Sequence, residues 1–281
     1  MENRNYQTFI FNFHHKGMEF KEHIKFIFKR RFNKSIYIAI FCLIYSSLIA
    51  QDKEDISVLT LNFSYGLHLP AGDLKDRFGN NFSLGGGLDF FTKKNFIVGI
   101  KGNNLFGSTV KEDVLASLRD KDGFIIGGIG AGQAGYSDVL LRQRGLYLGG
   151  HVGKLIPISS NETKSGIRLT LGAGLLQHKV RIQDESGTAD QLKGELIKGY
   201  DQLTNGLALE QFVGYQQMNR KTGVNFFAGF ELTEAFTQNR RSINFTTQQR
   251  DSTKRLDVLV GVRVGWSFTF YTGRDAEEIQ Y

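Results

Sequence analysis

Three histidines lie in the chain after residue 55, and histidine is the side chain best suited to proton transfer near neutral pH. They are His68, His151 and His178. A catalytic histidine works with a serine, a cysteine or a carboxylate within hydrogen-bond reach. The sequence around His68 and His178, which lie near the ends of predicted strands, shows no serine motif and no group of acids. We therefore expect hydrogen-bonded or solvated histidines and predict no catalytic residue.

A glycine-rich segment is the second pattern that could form a functional site. Gly130, Gly132 and Gly135 match the GxGxxG motif of dinucleotide sites and follow the apolar run Phe124–Ile129. Such a site needs a helix that opens at the glycines and an acidic residue about 20 positions further on. The segment Gly145–Asn161 contains no acidic residue. We therefore predict no nucleotide binding and no cofactor.

Cysteine content and charge exclude further classes of site. The only cysteine, Cys42, lies in the first 50 residues, so the rest of the chain has no disulfide and no cysteine metal site. No metal site is predicted. Eight basic and three acidic residues within 1–50 leave a net charge of +2, out of a total of +7, for the remainder. The basic charge belongs mostly to the N-terminal segment, and we predict no nucleic-acid partner.

The N-terminal segment has the pattern of a secretory leader. Ile36–Ala50 is uncharged and follows the basic cluster Lys29–Arg31 with Lys34. A basic region, a short apolar stretch and a switch to polar residues are typical of a signal peptide. A spanning helix needs about 20 apolar residues, so a membrane anchor is the weaker interpretation. We predict a signal peptide over residues 1–50, cleaved after Ala50, with Met18 as an alternative start of translation.

Alternation of apolar residues with polar or small ones, at a period of two, dominates the chain after Gln51. It is clearest over Leu256–Phe270, where it continues across 15 positions. A strand of a soluble protein is usually about 5–6 residues long, whereas a tilted membrane strand needs about 9–11. The pattern predicts eight strands, over residues 59–69, 82–90, 96–100, 146–153, 167–175, 207–215, 224–232 and 256–270.

Short and long connections alternate between these strands. The short ones are 92–95, 159–165 and 219–222, and the long ones are 70–81, 106–143, 182–203 and 238–254. Short periplasmic turns and longer extracellular loops are typical of outer-membrane barrels with an even number of strands. We predict an all-β fold: an eight-stranded antiparallel up-and-down transmembrane β-barrel over residues 51–271, with periplasmic termini and a short periplasmic tail, 272–281. The alternatives, a soluble β-sandwich or a soluble ligand-binding barrel, require a polar exterior.

The polar face of the strands carries charges of both signs, and in an eight-stranded barrel this face fills the lumen. Buried charges are costly unless they are paired. We interpret these side chains as a structural salt-bridge network and not as an ion or proton path, and we predict that the barrel is not an open porin. The predicted network consists of Asp89, Lys101, His151, Arg168, Glu210, Glu231, Asp257 and Arg263.

The last predicted strand ends in the pattern polar-x-Gly-x-x-aromatic-x-aromatic, formed by Arg263, Gly265, Phe268 and Phe270. The pattern resembles the C-terminal signal that the barrel-assembly machinery recognises, and edgewise pairing with a template strand offers a physical basis for recognition. Eleven residues follow Phe270, which departs from the usual form. We expect the assembly machinery as a partner during insertion, and outer-membrane lipid and lipopolysaccharide as the surroundings.

The connection of about residues 107–143 is too long to be a simple connector. Thr109 and Glu112 fit a capping box, and apolar residues on one face follow, so we predict a short helix over about Val110–Arg119. We interpret this connection as an extracellular lobe that caps the barrel or contacts a partner, such as another envelope protein.

Several segments resemble a family of uncharacterised outer-membrane barrels of Bacteroidota, and the likeness covers most of the chain after Ala50. It is carried by Arg144–Tyr147, Val152–Pro157, Leu176–Val180, Lys198–Asp201 with Leu203–Gly206, and Arg263–Trp266. The resemblance implies the fold and the compartment but no known activity. Asp251-Ser252-Thr253 also resembles the short O-glycosylation motif of these bacteria.

Three functions fit these predictions. We expect first a non-enzymatic barrel that serves, through its extracellular loops, as a structural or accessory subunit of an envelope complex of the secretion or barrel-assembly type. The second is binding of a surface ligand by the loops, as in adhesion. The third is a lipid-modifying enzyme at the outer rim, for which His68 or His178 would be the candidate residue.

Overall fold

The computed structural model describes residues 56–127, 135–158, 164–219 and 223–272, and these residues form a closed barrel with a separate two-stranded hairpin. The strands are β1 (Ser57–Gly72), β2 (Asn81–Phe91), β3 (Phe96–Gly107), β4 (Ile125–Gly127), β5 (Gly135–Ser137), β6 (Val139–Pro157), β7 (Gly166–Asp184), β8 (Thr204–Met218), β9 (Asn225–Asn239) and β10 (Lys254–Thr272). The hairpin consists of β4 and β5, and the other eight strands form the barrel. The predicted eight-stranded antiparallel barrel is confirmed. The predicted signal peptide and residues 273–281 of the predicted tail lie outside the described residues.

The first and last barrel strands close the ring. Their ladder is continuous from Ser57 opposite Thr272 to Gly72 opposite Asp257. Every other barrel strand pairs antiparallel with the barrel strands before and after it in the chain. Closure leaves no edge of the sheet open along the wall, as the lipid environment requires, because hydrocarbon offers no partner for backbone N–H and C=O groups.

The outer surface of the barrel is apolar and its inner surface is polar. In β1, Thr60 and Asn62 are buried in the lumen, whereas Leu61 and Phe63 point outward and are exposed. The same inversion holds around the ring, with exposed Leu84, Ile100, Leu148, Leu175, Phe230 and Phe268 among the outward residues. A soluble barrel or sandwich would show the opposite arrangement, so the barrel is a transmembrane one.

Each connection at one end of the barrel is longer than, or as long as, those at the other end, but the predicted contrast is lost at the first long one, which equals 158–165 at eight residues. The long ones are residues 73–80, 108–138, 185–203 and 240–253, all at one end of the barrel, which we name the loop end. The short ones are residues 92–95, 158–165 and 219–224, at the opposite end, which we name the turn end. Both ends of the described barrel, Ser57 and Thr272, lie at the turn end.

The helices are short and lie in the long connections. α1 (Leu74–Arg77) is in the first, a 3₁₀ helix (Ala116–Leu118) is in the second, and two more (Asp190–Leu192 and Leu196–Gly199) are in the third. The predicted helix of the second connection is therefore present but much shorter than expected. The first residues of the predicted helix pair with the first connection instead, because Val110 forms an antiparallel bridge with Phe78 and the N–H of Lys111 donates to the carbonyl of Arg77. Within the described ranges, no helix is long and apolar enough to cross a membrane.

The β6–β7 hairpin is longer than its neighbours. Each strand has 19 residues, paired from Val139 opposite Asp184 to Pro157 opposite Gly166. The neighbouring β3 pairs with β6 only as far as Gln143, and β8 pairs with β7 only as far as His178. The open end of this hairpin, formed by the start of β6 and the end of β7, therefore extends beyond both adjacent strands at the loop end.

Candidate functional site

Lys101 on β3 makes a charged bridge across the middle of the lumen. Its ammonium donates to a carboxylate oxygen of Glu231 on β9 at 2.8 Å and also pairs with Glu210 on β8. Arg263 on β10 approaches the same Glu231 oxygen at 3.0 Å. Strands β3 and β9 are opposite each other in the ring of eight. The bridge therefore spans the lumen at this level.

Aromatic rings fill the space around these cations. The Lys101 ammonium lies 5.2 Å from the centre of the Tyr147 ring, and the Arg263 guanidinium lies 4.7 Å from that of Phe212. Phe212 in turn packs edge-to-face on Phe227 at 5.9 Å. Each cation thus has both a carboxylate and a ring face as neighbours, which offsets part of its desolvation.

A second charged cluster surrounds Asp89 on β2, and its Arg168 lies over the same Phe227 ring as Arg263. The Asp89 carboxylate contacts the guanidinium of Arg168 at 2.7 Å and His151 Nε2 at 2.8 Å, and it accepts a hydrogen bond from Asn62 at 2.8 Å. Arg168 donates further to the side chain of Gln216 at 3.1 Å. All of these side chains are buried. One carboxylate is therefore bound by three partners from three other strands.

His178 and His68 are buried in the lumen and not solvated at a rim. His178 Nε2 lies 2.7 Å from the carboxylate of Asp257, which also accepts a hydrogen bond from Thr237 at 2.6 Å. The ring of Phe78 covers His178 edge-to-face at 5.6 Å. A lipid substrate has no access to an imidazole enclosed in this way.

His68 has a partner that its sequence neighbourhood did not suggest. Its Nε2 lies 2.9 Å from the hydroxyl of Ser83 on the adjacent strand. The cavity beside them has a volume of about 10 Å³, which is room for about one water molecule. The histidine–serine contact therefore lies in a closed interior and not in a cleft.

The structure places all eight predicted lumen residues inside the barrel and separates them into three clusters. These are Lys101–Glu210–Glu231–Arg263, Asp89–His151–Arg168, and Asp257 with His178. Sequence reasoning placed His178 near the rim and did not include it in this network, and it missed the neutral partners Asn62, Gln216 and Thr237. Their inward position in the two-residue alternation was the available signal.

An apolar cluster closes the lumen at the turn end. It is formed by Val58, Phe91, Ile97, Leu155 and Met218. Each of these side chains is almost completely buried. This layer and the charged clusters occupy successive levels of the described lumen, as expected for a barrel of eight strands.

The four long connections pack together over the loop end, and we name this assembly the cap. Its apolar core includes Leu74, Phe78, Val114, Leu115, Leu192, Tyr200 and the partly buried Phe245. Polar contacts also join the connections. Arg77 pairs with Glu112 at 3.0 Å, Gln202 donates to the same carboxylate, and Thr246 donates to the carbonyl of Val114 at 2.6 Å. The cap is therefore a packed structure continuous with the lumen.

An ion pair fixes the fourth connection to the third. Arg241 donates to the carboxylate of Asp201 through Nε at 2.7 Å and also through its terminal nitrogen. This hydrogen bonding raises the pKa of the Arg241 guanidinium above its usual value. Asp201 also accepts from the backbone N–H of Leu203, so its carboxylate is largely committed to the cap.

The β4–β5 hairpin has one face packed into the cap and one face exposed. Ile125 is buried in the cap core, and the hydroxyls of Ser137 and Thr188 lie 2.7 Å apart. On the opposite face, Phe124, Ile126 and Tyr136 are 52%, 49% and 63% exposed. The Phe124 and Tyr136 ring centres are 4.7 Å apart. We name these three residues the hairpin patch; they lie within the predicted partner segment 107–143.

The residues of the predicted assembly signal divide between the two faces of β10. Arg263 points inward to Glu231, and Phe268 and Phe270 are exposed on the outside. Gly265 lies against the ring of Phe227, where a Cβ would come within 2.3 Å of the ring. Gly265 is thus required by packing, and a role in recognition by the assembly machinery stays a prediction.

The structure can also be compared with the GxGxxG motif and with the residue types that bind metals. Gly130 and Gly132 lie outside the described residues, and Gly135 opens β5, not a helix. Among the described residues, no group of three or more His, Cys, Asp or Glu side chains is arranged to hold a metal ion.

Comparisons with known proteins find likeness only among solved structures. No protein-family model matches the chain, and no curated protein matches it. Ail of Yersinia pestis, the attachment invasion locus protein solved with a heparin analogue, is 9% identical with a TM-score of 0.35, covering 77% of this chain and 100% of Ail. Neisserial surface protein A is 11% identical with a TM-score of 0.35, covering 78% and 100%. The N-terminal β-barrel domain of Pseudomonas aeruginosa OprF is 12% identical with a TM-score of 0.32, covering 77% and 100%.

Proposed function

We propose that the protein is a non-enzymatic barrel of a Gram-negative outer membrane that serves as a structural or accessory subunit of an envelope complex and acts through its cap. A closed barrel with an even number of strands and an apolar outer band is typical of bacterial outer-membrane proteins. Alternation of short and long connections supports an extracellular loop end and periplasmic termini. The N-terminal signal peptide and the Bacteroidota resemblance remain sequence-based predictions.

The hairpin patch is the observation that carries this proposal. Exposed aromatic residues beside an aliphatic one are typical of protein interfaces, where they supply much of the binding energy. The patch is held in place because its own hairpin packs on the cap through Ile125 and because Gln191 donates to the carbonyl of Ile126 at 2.8 Å. A surface held in place in the free protein loses less entropy on binding.

The interior of the barrel also supports a function at the cap. The bridge between Lys101 and Glu231 crosses the lumen, and an apolar layer closes the turn end. His68 and His178 are enclosed beneath the cap. These features favour neither diffusion through the barrel nor chemistry on a lipid at its rim.

Site-specific photo-crosslinking in living cells tests the proposal. A photoreactive amino acid at position 126 should crosslink to one discrete envelope protein, and the same residue at position 250, on an exposed part of the fourth connection, should not. The double variant Phe124→Ser/Tyr136→Ser should abolish the adduct while the barrel still inserts. Adducts of equal yield from both positions, or none from position 126, would contradict a partner at the hairpin patch.

Binding of a surface ligand would use the same hairpin patch, and a binding assay distinguishes it from binding of an envelope protein. If position 126 yields no protein adduct but the purified barrel binds a host-type surface and the Phe124→Ser/Tyr136→Ser variant does not, the protein is an adhesin. Acyl release or transfer from lipopolysaccharide or phospholipid by the purified barrel would instead establish the third function, a rim-sited enzyme.

A further inference from the structure

Four cations lie together on the outer face of the β6–β7 hairpin. Arg142 on β6 is directly opposite Arg181 on β7, and Arg144 is directly opposite Lys179. Positions 142 and 144 have the outward parity of the exposed Leu146 and Leu148, so all four side chains point away from the lumen. Like charges directly across a strand pair destabilise a sheet. We name these four residues the basic ladder.

The basic ladder receives little compensation from the chain itself. Among the described residues, neither Arg142 nor Arg181 has an ion-pair partner. Lys179 lies 3.9 Å from the carboxylate of Asp201, but that carboxylate is engaged by Arg241. Arg144 lies over the ring of Phe106 at 5.1 Å, which orients its guanidinium without neutralising it. The ladder therefore carries a local excess of positive charge.

The position of the ladder corresponds to the head groups of the membrane. Arg144 and Lys154 are ten positions apart on β6, with outward Leu146, Leu148 and Val152 between them. At a rise of about 3.3 Å per residue and a strand tilt of about 40°, the two cations lie about 25 Å apart along the barrel axis. This span equals the height of the apolar band of an outer-membrane barrel, about 25 Å.

Aromatic residues mark the same level on the neighbouring strands. Phe106 stacks on Phe82 with ring centres 5.3 Å apart, and Phe82 stacks on Tyr65 at 6.0 Å. Such rings gather at the boundary between hydrocarbon and head groups. The ladder thus begins where the apolar band ends and continues outward from the hydrocarbon.

We propose that the basic ladder is a binding site for the phosphate groups of an outer-leaflet lipid, of the phosphorylated lipid A class. The guanidinium pair of Arg142 and Arg181 matches phosphate oxygens in geometry and charge, and Arg144 with Lys179 adds a second pair of cations. The apolar wall below, which includes Leu146 and Leu175, receives the acyl chains. This inference rests on the proposed location in the outer membrane with the loop end outward.

Lipid-dependent stability of the purified full chain in neutral detergent tests the site. The probes are lipid A with its phosphates, the same lipid after enzymatic dephosphorylation, and inorganic phosphate, and the readout is the unfolding midpoint. Phosphorylated lipid A should raise the midpoint more than the dephosphorylated lipid. The variant Arg142→Gln/Arg181→Gln should lose this difference and bind at least about tenfold more weakly. Lys154→Gln, on the same face of β6 at the turn end, should keep it.

The outcomes separate this inference from the proposed function. Equal stabilisation by both lipids, or an equal response of the native chain and the Arg142→Gln/Arg181→Gln variant, would overturn the site. The full effect from inorganic phosphate alone would overturn the assignment to a lipid. Failure of the native chain to insert into any bilayer would instead contradict the proposed function. A midpoint of the variant in detergent alone that is equal to or above that of the native chain would support the proposal, because it separates lost binding from lost folding.

Discussion

The charges inside the barrel and the charges on the outer face of the β6–β7 hairpin are arranged in opposite ways. In the lumen, Lys101 and Arg263 share the carboxylate of Glu231, and Arg168 pairs with the carboxylate of Asp89. On the hairpin, Arg142 is opposite Arg181 and no carboxylate is committed to either of them among the described residues. The lumen cations have carboxylate partners within the chain, whereas Arg142 and Arg181 have no ion-pair partner among the described residues.

The same contrast separates the two faces of the cap. Phe78 and Ile125 are buried in its core, whereas Phe124 and Tyr136 on the β4–β5 hairpin are exposed. Groups with partners inside the chain stabilise the fold. Groups without such partners indicate contacts made elsewhere, with lipid phosphate at the basic ladder and with protein at the hairpin patch.

Removal of one member of the central bridge should have the largest effect. Lys101→Met leaves two carboxylates with one cation in the lumen, so we expect a loss of about 3–5 kcal/mol in the free energy of unfolding. Urea unfolding in lipid vesicles measures it. The control Lys154→Met removes an outward cation and should cost less than about 1 kcal/mol. Equal losses for the two variants would show that the lumen charges are not a structural network.

Truncation within the cap should come next. Phe78→Ala removes a fully buried ring that packs on His178, with an expected cost of about 3–5 kcal/mol, reduced where the cap can collapse into the space. Phe124→Ala, on the exposed face, should change stability by less than about 0.5 kcal/mol. The same vesicle unfolding experiment compares the two. If Phe78→Ala were as mild as Phe124→Ala, the cap would not be part of the folded core.

The basic ladder should give the smallest effect and the opposite sign. In neutral detergent, Arg142→Gln/Arg181→Gln relieves a like-charge pair and should stabilise the barrel by about 0.2–1 kcal/mol. The unfolding midpoint in urea, without anionic lipid, reports it. A destabilisation comparable with that of Lys101→Met would mean that these arginines have partners within the protein.

The sequence was sufficient for the barrel wherever outward residues are apolar. The alternation from Leu256 to Phe270 predicted β10 within about two residues at each end. It failed at the start of β6, predicted at Leu146 and observed at Val139. Arg142 and Arg144 occupy outward positions there, so a strand that leaves the membrane has the pattern of a polar loop.

The candidate sites were less predictable because they depend on contacts between distant residues. The inward position of Lys101 followed from the alternation, but its pairing with Glu231 depends on the shape of the closed barrel. Contact between Phe78 and His178 joins positions 100 residues apart. The basic ladder required the register of β6 against β7, which the charges alone do not specify.

Conductance of the native protein in planar bilayers tests most directly the claim that the lumen is filled and that function lies on the outside. Insertion is verified separately, by protection of the strands from added protease. The bridge from Lys101 to Glu231 and the apolar layer at the turn end predict a current no higher than that of the bare lipid. Stable single-channel openings from the inserted native barrel would contradict this account.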